Sequence, residues 1–324
     1  ARAAGVSTAT ASYALRGQRG SAATVERVLA AAAELGYQAN PIAAALASGR
    51  TRTVGIICGS LRDVWQQALA ADLSRALAVT GRHALVADAD GDPARESELL
   101  SQLRAQRPEG LLVAPLDPFA AHWESAAAEL PVVAIGDRLA AAPSAGAVVF
   151  DNSTGFALVF EHLHRLGHRR IAVVLPQRPH TPDRPAESLV AEQGDRLTMH
   201  TQLWRLPPAS DRADPAAALL REALSGADRP SAVFCLSDAL ALRVLRVARE
   251  LALDVPGDLS VVGFDNVAFA DLIGPGLTTV DWGNPAMIEA AVNQLVAAGQ
   301  DPDSLHVRVI GPRLIIGGTS GPAA

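Results

Sequence analysis

Four hydroxyl side chains fall within six residues near the start of the chain, Ser7, Thr8, Thr10 and Ser12, with Ala9 among them and Tyr13 directly after. A hydroxyl is small, uncharged, and both donor and acceptor, so a row of them on one helix can bond phosphate oxygens and read polar base edges. Ser7 is a favourable N-cap for a helix over residues 8 to 15, and Ala3-Ala-Gly5 before it reads as a helix end and a glycine turn. Two helices joined in this way have the spacing that inserts the second into a DNA major groove. A third helix from about Ala22 to Leu35 places Val25, Val28, Leu29 and Ala32 on one face, enough to hold the pair together. A small structural bundle of Ala-rich helices fits this local pattern nearly as well.

Charge separates this segment from the rest. Residues 1 to 52 hold six Arg against Glu26 and Glu34, a net +4, whereas the other 272 residues carry 22 Arg and 32 acids, a net −10 within the overall −6. A basic head on an acidic body suits a polyanion-binding module attached to something else. All 28 basic residues are Arg, which we read as compositional habit.

A second group of chemically capable residues lies near the carboxyl ends of apolar runs, where open α/β sheets bind ligands. Trp65 follows Val54-Gly-Ile-Ile-Cys58 and reads either as a stacking platform for a sugar or base or as a core aromatic. Asp265 after Val-Gly-Phe264 is positioned to accept paired bonds from ligand hydroxyls or amines, or to cap its loop. Ser237 and Asp238 follow Phe234-Cys-Leu236, where Asp238 reads equally as a ligand contact or a helix cap; Asp88 and Asp151 are similar strand-end carboxylates. Cys58 and Cys235 fit no metal spacing and read as buried thiols. No Gly-rich phosphate loop, nucleophile elbow or metal-spaced His/Cys set is present, which argues against an enzyme, and no cofactor is expected.

These residues need a scaffold, and the sequence supplies one. From Val54 onward, short β-branched runs alternate with helical stretches, the pattern of a parallel sheet with crossover helices. Strands are predicted at 54–58, 84–87, 111–114, 132–135 and 148–150, with helices near 65–80, 93–106 and 118–129. After a helix over 153–166 the pattern restarts at 171–175, 232–236 and 260–264, with helices near 186–193, 215–225 and 239–251. The tail from Leu277 holds another strand, a helix from Pro285 to Ala298 and paired β runs around Val307 and Leu314, and is expected to cross between lobes. Residues 176–185 form a Pro-rich loop. No stretch of 18 apolar residues and no signal pattern appears, so a cytoplasmic protein is expected.

The longer text adds a resemblance. Ala3-Ala-Gly-Val-Ser-Thr-Ala-Thr-Ala-Ser-Tyr-Ala-Leu15, then Thr24-x-x-Arg-Val-Leu29, then Leu35-Gly-Tyr-x-x-Asn-Pro-x-Ala43-x-x-Leu46-x-Ser-Gly-Arg-Thr51 resembles the lactose-repressor (LacI/GalR) family of bacterial regulators. It continues through His162-Leu-x-x-Leu-Gly-His-Arg-Arg-Ile171, Val255-Pro-Gly-Asp-Leu-Ser-Val-Val-Gly-Phe-Asp-Asn266 and Leu277-Thr-Thr-Val280, so it covers nearly the whole chain. The resemblance implies an N-terminal all-α helix-turn-helix headpiece plus an α/β periplasmic-binding-protein-like domain of two doubly wound parallel-sheet lobes. It implies a homodimer, with a tetramer open, that binds double-stranded operator DNA, represses transcription, and responds to a small-molecule effector such as a sugar held between the lobes. A sugar receptor of a transport system shares the two-lobed fold, but the basic head and the missing secretion signal argue against it.

By that resemblance Ser7, Thr10 and Ser12 contact phosphates and Thr8, Ala9 and Tyr13 face base edges, while Arg16 and Thr24 join the DNA-contacting set. Residues 40 to 48 resemble a hinge helix that folds in the minor groove, with Asn40 and Ala43 on it and Leu46 as the wedge between base steps. Ala44 stands where relatives commonly have Arg. Arg184 matches an effector-contacting arginine, Ser237 replaces a usual Asn, and His162 and His168 belong to a structural block. The expected organisation is a headpiece over 1–38, a hinge and linker over 39–53, a two-lobed domain over 54–318 and a tail over 319–324. The first lobe is expected at about 54–168 plus 280–307, the second at about 169–279 plus 308–318. Relatives carry residues ahead of the position of Ala1, so the first helix is expected to be truncated, to the detriment of DNA binding.

Overall fold

The computed structural model describes residues 1–15, 20–37, 50–177, 185–207, 214–226, 228–268 and 276–323. Its contacts divide the chain into two units, Ala1–Arg52 and Thr53–Ala324.

In the first unit, helix α1 spans Thr8–Leu15 and helix α2 spans Ala22–Glu34. Each begins at a serine whose hydroxyl accepts the backbone N–H three residues on, Ser7 from Thr10 at 3.1 Å and Ser21 from Thr24 at 3.3 Å. This supplies one of the N–H partners that a helix start lacks. Alanine lets the helices approach closely, and Ala4, Ala11, Ala14 and Val28 form their shared core. The segment ahead of α1 is a single turn closed by Gly5 N–H on Arg2 O at 3.1 Å, with Gly5 at φ +61. Here the predicted helix end is thus a turn. The expected hinge residues Asn40, Ala43 and Leu46 lie outside the described residues, as does Arg16.

The second unit carries two parallel sheets. The first contains β1 (Thr53–Cys58), β2 (His83–Asp88), β3 (Leu111–Val113), β4 (Val132–Gly136), β5 (Gly146–Phe150) and β11 (Val307–Ile310) in the order β11-β5-β4-β3-β1-β2. Its connecting helices are α3 (Val64–Val79), α4 (Pro93–Ala105) and α5 (His122–Glu129). The second contains β6 (Arg170–Pro176), β7 (His200–Leu206), β8 (Ala232–Cys235) and β9 (Ser260–Val262) in the order β7-β6-β8-β9. Helices α6 (Asn152–Arg165), α7 (Ala186–Leu197), α8 (Pro215–Ser225) and α9 (Asp238–Glu250) accompany it. Central strands such as β1, β4, β6 and β8 are almost wholly buried, which is why they read as continuous Val, Ile and Ala runs.

The tail returns as β10 (Thr279–Asp281), α10 (Asn284–Ala298), a 3-10 turn at Pro302–Ser304, β11 and β12 (Arg313–Ile315). The two late β runs do not pair with each other: β11 pairs in parallel with β5, while β12 pairs antiparallel with β10. The chain therefore passes between the sheets three times, after Phe150, after Asp281 and after Ile310. Asp151 N–H on Ile310 O at 3.2 Å ties two of these crossings together.

Three further differences from expectation have physical reasons. Helix α6 was assigned by sequence order to the first lobe, but Phe156 packs edge-on against Phe234 of β8 at 5.2 Å, so the lobe changes at Asp151. Residues 307–310 extend the first sheet. Strand β7 was not anticipated, because it is an edge strand with partly exposed Thr201, Gln202 and Trp204 in place of an apolar run.

Candidate nucleic-acid interface and interlobe site

The candidate DNA-contacting hydroxyls lie at the starts and along the faces of α1 and α2. Ser7, Thr8, Ala9 and Tyr13 are exposed, with Tyr13 at 40 %, and Thr10, Ser12 and Thr24 are partly buried. Ser7 Oγ and Thr10 Oγ1 stand 2.8 Å apart, and Ser21 Oγ and Thr24 Oγ1 repeat this at 2.9 Å. Neither helix has an acid in its first turn. Each start therefore combines outward N–H dipoles with hydroxyls and no competing carboxylate, which favours an approaching phosphate oxygen. Ser21 was missed by sequence reasoning, although Ser21-x-x-Thr24 repeats the spacing of Ser7-x-x-Thr10.

Between the lobes, the structure distributes the candidate residues unevenly. Trp65 is buried at the start of α3, whose cap is Asp63; its ring meets Phe150 edge-on at 5.5 Å and Nε1 donates to Asn284 Oδ1 at 3.5 Å. Asp265 holds a positive φ of 105, and its N–H donates to Val280 O at 2.9 Å, so the loop after β9 is fastened to the crossing strand β10. Trp65, Asp265 and Asn284 thus border the crossings. Arg184 lies outside the described residues.

The other four candidates hold the framework. Asp88 Oδ1 accepts from Leu61 N at 3.0 Å and Asp90 N at 2.9 Å. Asp151 caps α6 through Thr154 N at 3.0 Å and Thr154 Oγ1 at 2.6 Å, and Ser237 caps α9 through Leu240 N at 3.2 Å. Asp238 is fully buried; Oδ2 accepts from Val267 N at 2.8 Å and Oδ1 from Thr279 Oγ1 at 2.5 Å. Burial pushes its carboxyl up to about 6, and the hydrogen bonds it accepts, from Thr279 first, oppose that rise.

The aromatic that sequence reasoning passed over is Trp282, which is 1 % exposed. It stacks on Phe150 of the first lobe at 4.4 Å and 24° and meets Phe264 of the second edge-on at 4.9 Å. On the far side of the second lobe, His168 bonds Ser231 Oγ (2.8 Å), Ser260 Oγ (3.1 Å) and Gly321 O (3.0 Å), and His162 bonds Ser320 Oγ (2.8 Å). Both imidazoles fasten the C-terminal tail, and burial lowers both pKa values. Burial likewise raises the Cys58 thiol to about 12.

The sequence model described as "Bacterial regulatory proteins, lacI family" matches residues 1–40, and that described as "Periplasmic binding protein-like domain" matches residues 160–320. The HTH-type transcriptional regulator MalR of Streptomyces coelicolor is 33 % identical over 333 aligned positions, spanning 99 % of this chain and 95 % of MalR. The chain belongs to the LacI family of bacterial regulatory proteins. Among solved structures, the lac repressor dimer bound to operator and the anti-inducer ONPF shares the fold at a TM-score of 0.85 and 24 % identity, covering 99 % of this chain and 97 % of that one. A LacI-family regulator from Enterococcus faecium with bound ribose matches at a TM-score of 0.73 and 20 % identity, covering 84 % of this chain and all of that one. This LacI-family chain is accordingly a DNA-binding transcriptional regulator and not an enzyme. Among its described residues no helix is long and apolar enough to cross a membrane.

Proposed function

We propose that this LacI-family regulator is a cytoplasmic repressor that binds a near-palindromic operator as a homodimer and changes its operator affinity when a small cyclic metabolite, a sugar or sugar derivative, enters between its lobes. In this reading Ser7, Thr10, Ser12, Thr24 and Arg16 engage phosphates, Thr8, Ala9 and Tyr13 meet base edges, and Asn40, Ala43 and Leu46 act in the minor groove. Trp65, Asp265 and Arg184 face the effector. Asp88, Asp151, Ser237 and Asp238 hold the loops around it.

The observation that carries the effector reading is the bond from Asp265 N–H to Val280 O beside the contact of Trp65 with Asn284, because each ties a candidate ligand residue to the stretch that crosses between lobes. A ligand touching these residues has differential contact with open and closed arrangements, the requirement for shifting a two-state equilibrium. The ribose held by the Enterococcus faecium relative supports a sugar-like occupant. The test is a gel-shift titration of the full chain on its own upstream DNA with and without sugars that raise its melting temperature. Affinity must exceed that for random DNA and change with the ligand; equal affinity for both DNAs contradicts the proposal.

A further inference from the structure

The interlobe space has an occupant drawn from the chain itself. Trp282 stands where β10 gives way to α10, with its indole stacked on Phe150 and T-shaped to Phe264, so a single side chain bridges both sheets. The contact continues on either side, with Trp65 edge-on to Phe150 and Phe264 packed on Phe156 and Phe234. Polar groups rim this apolar centre. Asn284 Oδ1 accepts from Trp65, and Asp281 bonds Gly283 N at 2.8 Å and Arg313 at 2.5 Å.

We infer that Trp282 is the specificity-determining residue of the interlobe site, admitting only a ring of about indole size with one apolar face and polar groups at its edge, which enters as Trp282 is displaced. The inference rests on the effector reading above. A ligand that moves Trp282 uncovers Phe150 and Phe264, and a flat apolar ring re-covers them, whereas an open polyol leaves them wetted. The rim then selects hydroxyl or amine substituents, since its acceptors and its Arg lose their partners when an apolar edge arrives. The same geometry makes Trp282 a coupling element, because the contacts that close the lobes are the ones a ligand must replace.

The test uses full-length Trp282→Gly and, as a control for loss of any buried indole, Trp123→Gly, whose ring packs within the outer core of the first lobe. Indole and the open polyol sorbitol are the probes. Trp282→Gly is expected to lose hydrogen-exchange protection at the Asp151 and Asp265 amides, which bond across the crossings, and to weaken operator binding by about tenfold. Saturating indole should restore both and raise the melting temperature, while sorbitol does no more than it does for the wild type. Trp123→Gly should lose melting temperature with those two amides still protected. The inference is overturned if Trp282→Gly keeps protection at both amides, or if indole restores melting temperature without restoring protection. If Trp282→Gly does not fold, Trp282→Phe replaces it, with partial loss of protection expected and full protection overturning the claim. A wild-type chain that ignores all DNA removes the regulator reading but leaves the exchange and melting arms decisive.

Discussion

Thr279 Oγ1 donates a 2.5 Å hydrogen bond to Asp238 Oδ1, joining the first turn of α9 to the ribbon that crosses between the lobes. The other oxygen of the same carboxylate takes the Val267 N–H, so a single buried acid fixes the loop that carries Asp265 and Asn266. Because burial pushes the Asp238 carboxyl from 3.8 up to about 6, ionising it makes the folded state less stable at neutral pH than at low pH by roughly 3 kcal/mol, relative to the unfolded chain. The folded state retains the proton that the unfolded chain has released, so this site loses stability as pH rises from about 4 to 6. Melting temperatures of wild type and Asp238→Asn across that range should show the wild type declining relative to the variant; parallel curves would contradict the assignment.

The two histidines act with the opposite sign. Burial lowers both below 6.5, so His162 and His168 contribute stability that is fully present above that pH and is lost as pH falls through their lowered folded values. Acidification should free the tail, since an imidazolium at His168 meets Ser231, Ser260 and Gly321 in a desolvated setting. A His168→Asn variant should be less stable at pH 7.5 and flatter in its response as pH falls below 6.5. Identical acid sensitivity in wild type and variant would remove His168 from that role.

The strands were legible because most are buried on both faces and carry Val, Ile and Ala runs between Gly, Pro and Asp punctuation. Strand β7 was not, since an edge strand keeps polar and aromatic residues that mimic a loop. Covalent order could not reveal that α6 serves the second sheet; that follows from Phe156 meeting Phe234. In the headpiece, Ser7 as helix cap and the cluster of hydroxyls after it were legible, whereas the pairing of Ser7 with Thr10 emerges from the structure. Between the lobes, a ligand carboxylate and a loop tie both sit at strand ends, and only burial of Asp238 and its contact with Thr279 distinguishes them. Trp282 in Asp-Trp-Gly-Asn sits in no periodic pattern, so its bridge depends wholly on tertiary geometry.

Gly317 is required by close backbone approach. A Cβ at this position would stand 2.3 Å from Gly276 O and 2.6 Å from Gly276 C, atoms that cannot rotate away. Gly317→Ala is expected to cost about 2–4 kcal/mol in chemical unfolding. A loss below about 0.5 kcal/mol, the range of ordinary surface substitutions, would show that the two segments separate freely.

The paired helix starts make a prediction about salt and sequence. Ser7→Ala and Ser21→Ala should each lose about 1 kcal/mol of headpiece stability and weaken specific and random DNA alike. Tyr13→Ala should reduce the ratio of specific to random binding instead, because its exposed ring is assigned to base edges. Fluorescence anisotropy on matched duplexes separates these patterns, and an unchanged ratio for Tyr13→Ala would contradict its assignment.

The central claim is that a basic headpiece on an acidic two-lobed body recognises a specific DNA site under control of the interlobe space. The direct measurement is operator affinity of the full chain across a salt series, with and without a ligand that raises its melting temperature. The account predicts tighter binding to the operator than to random duplex, a steep loss with salt, and a ligand-dependent shift of about tenfold or more. Equal affinity for both duplexes at every salt concentration and ligand would contradict it.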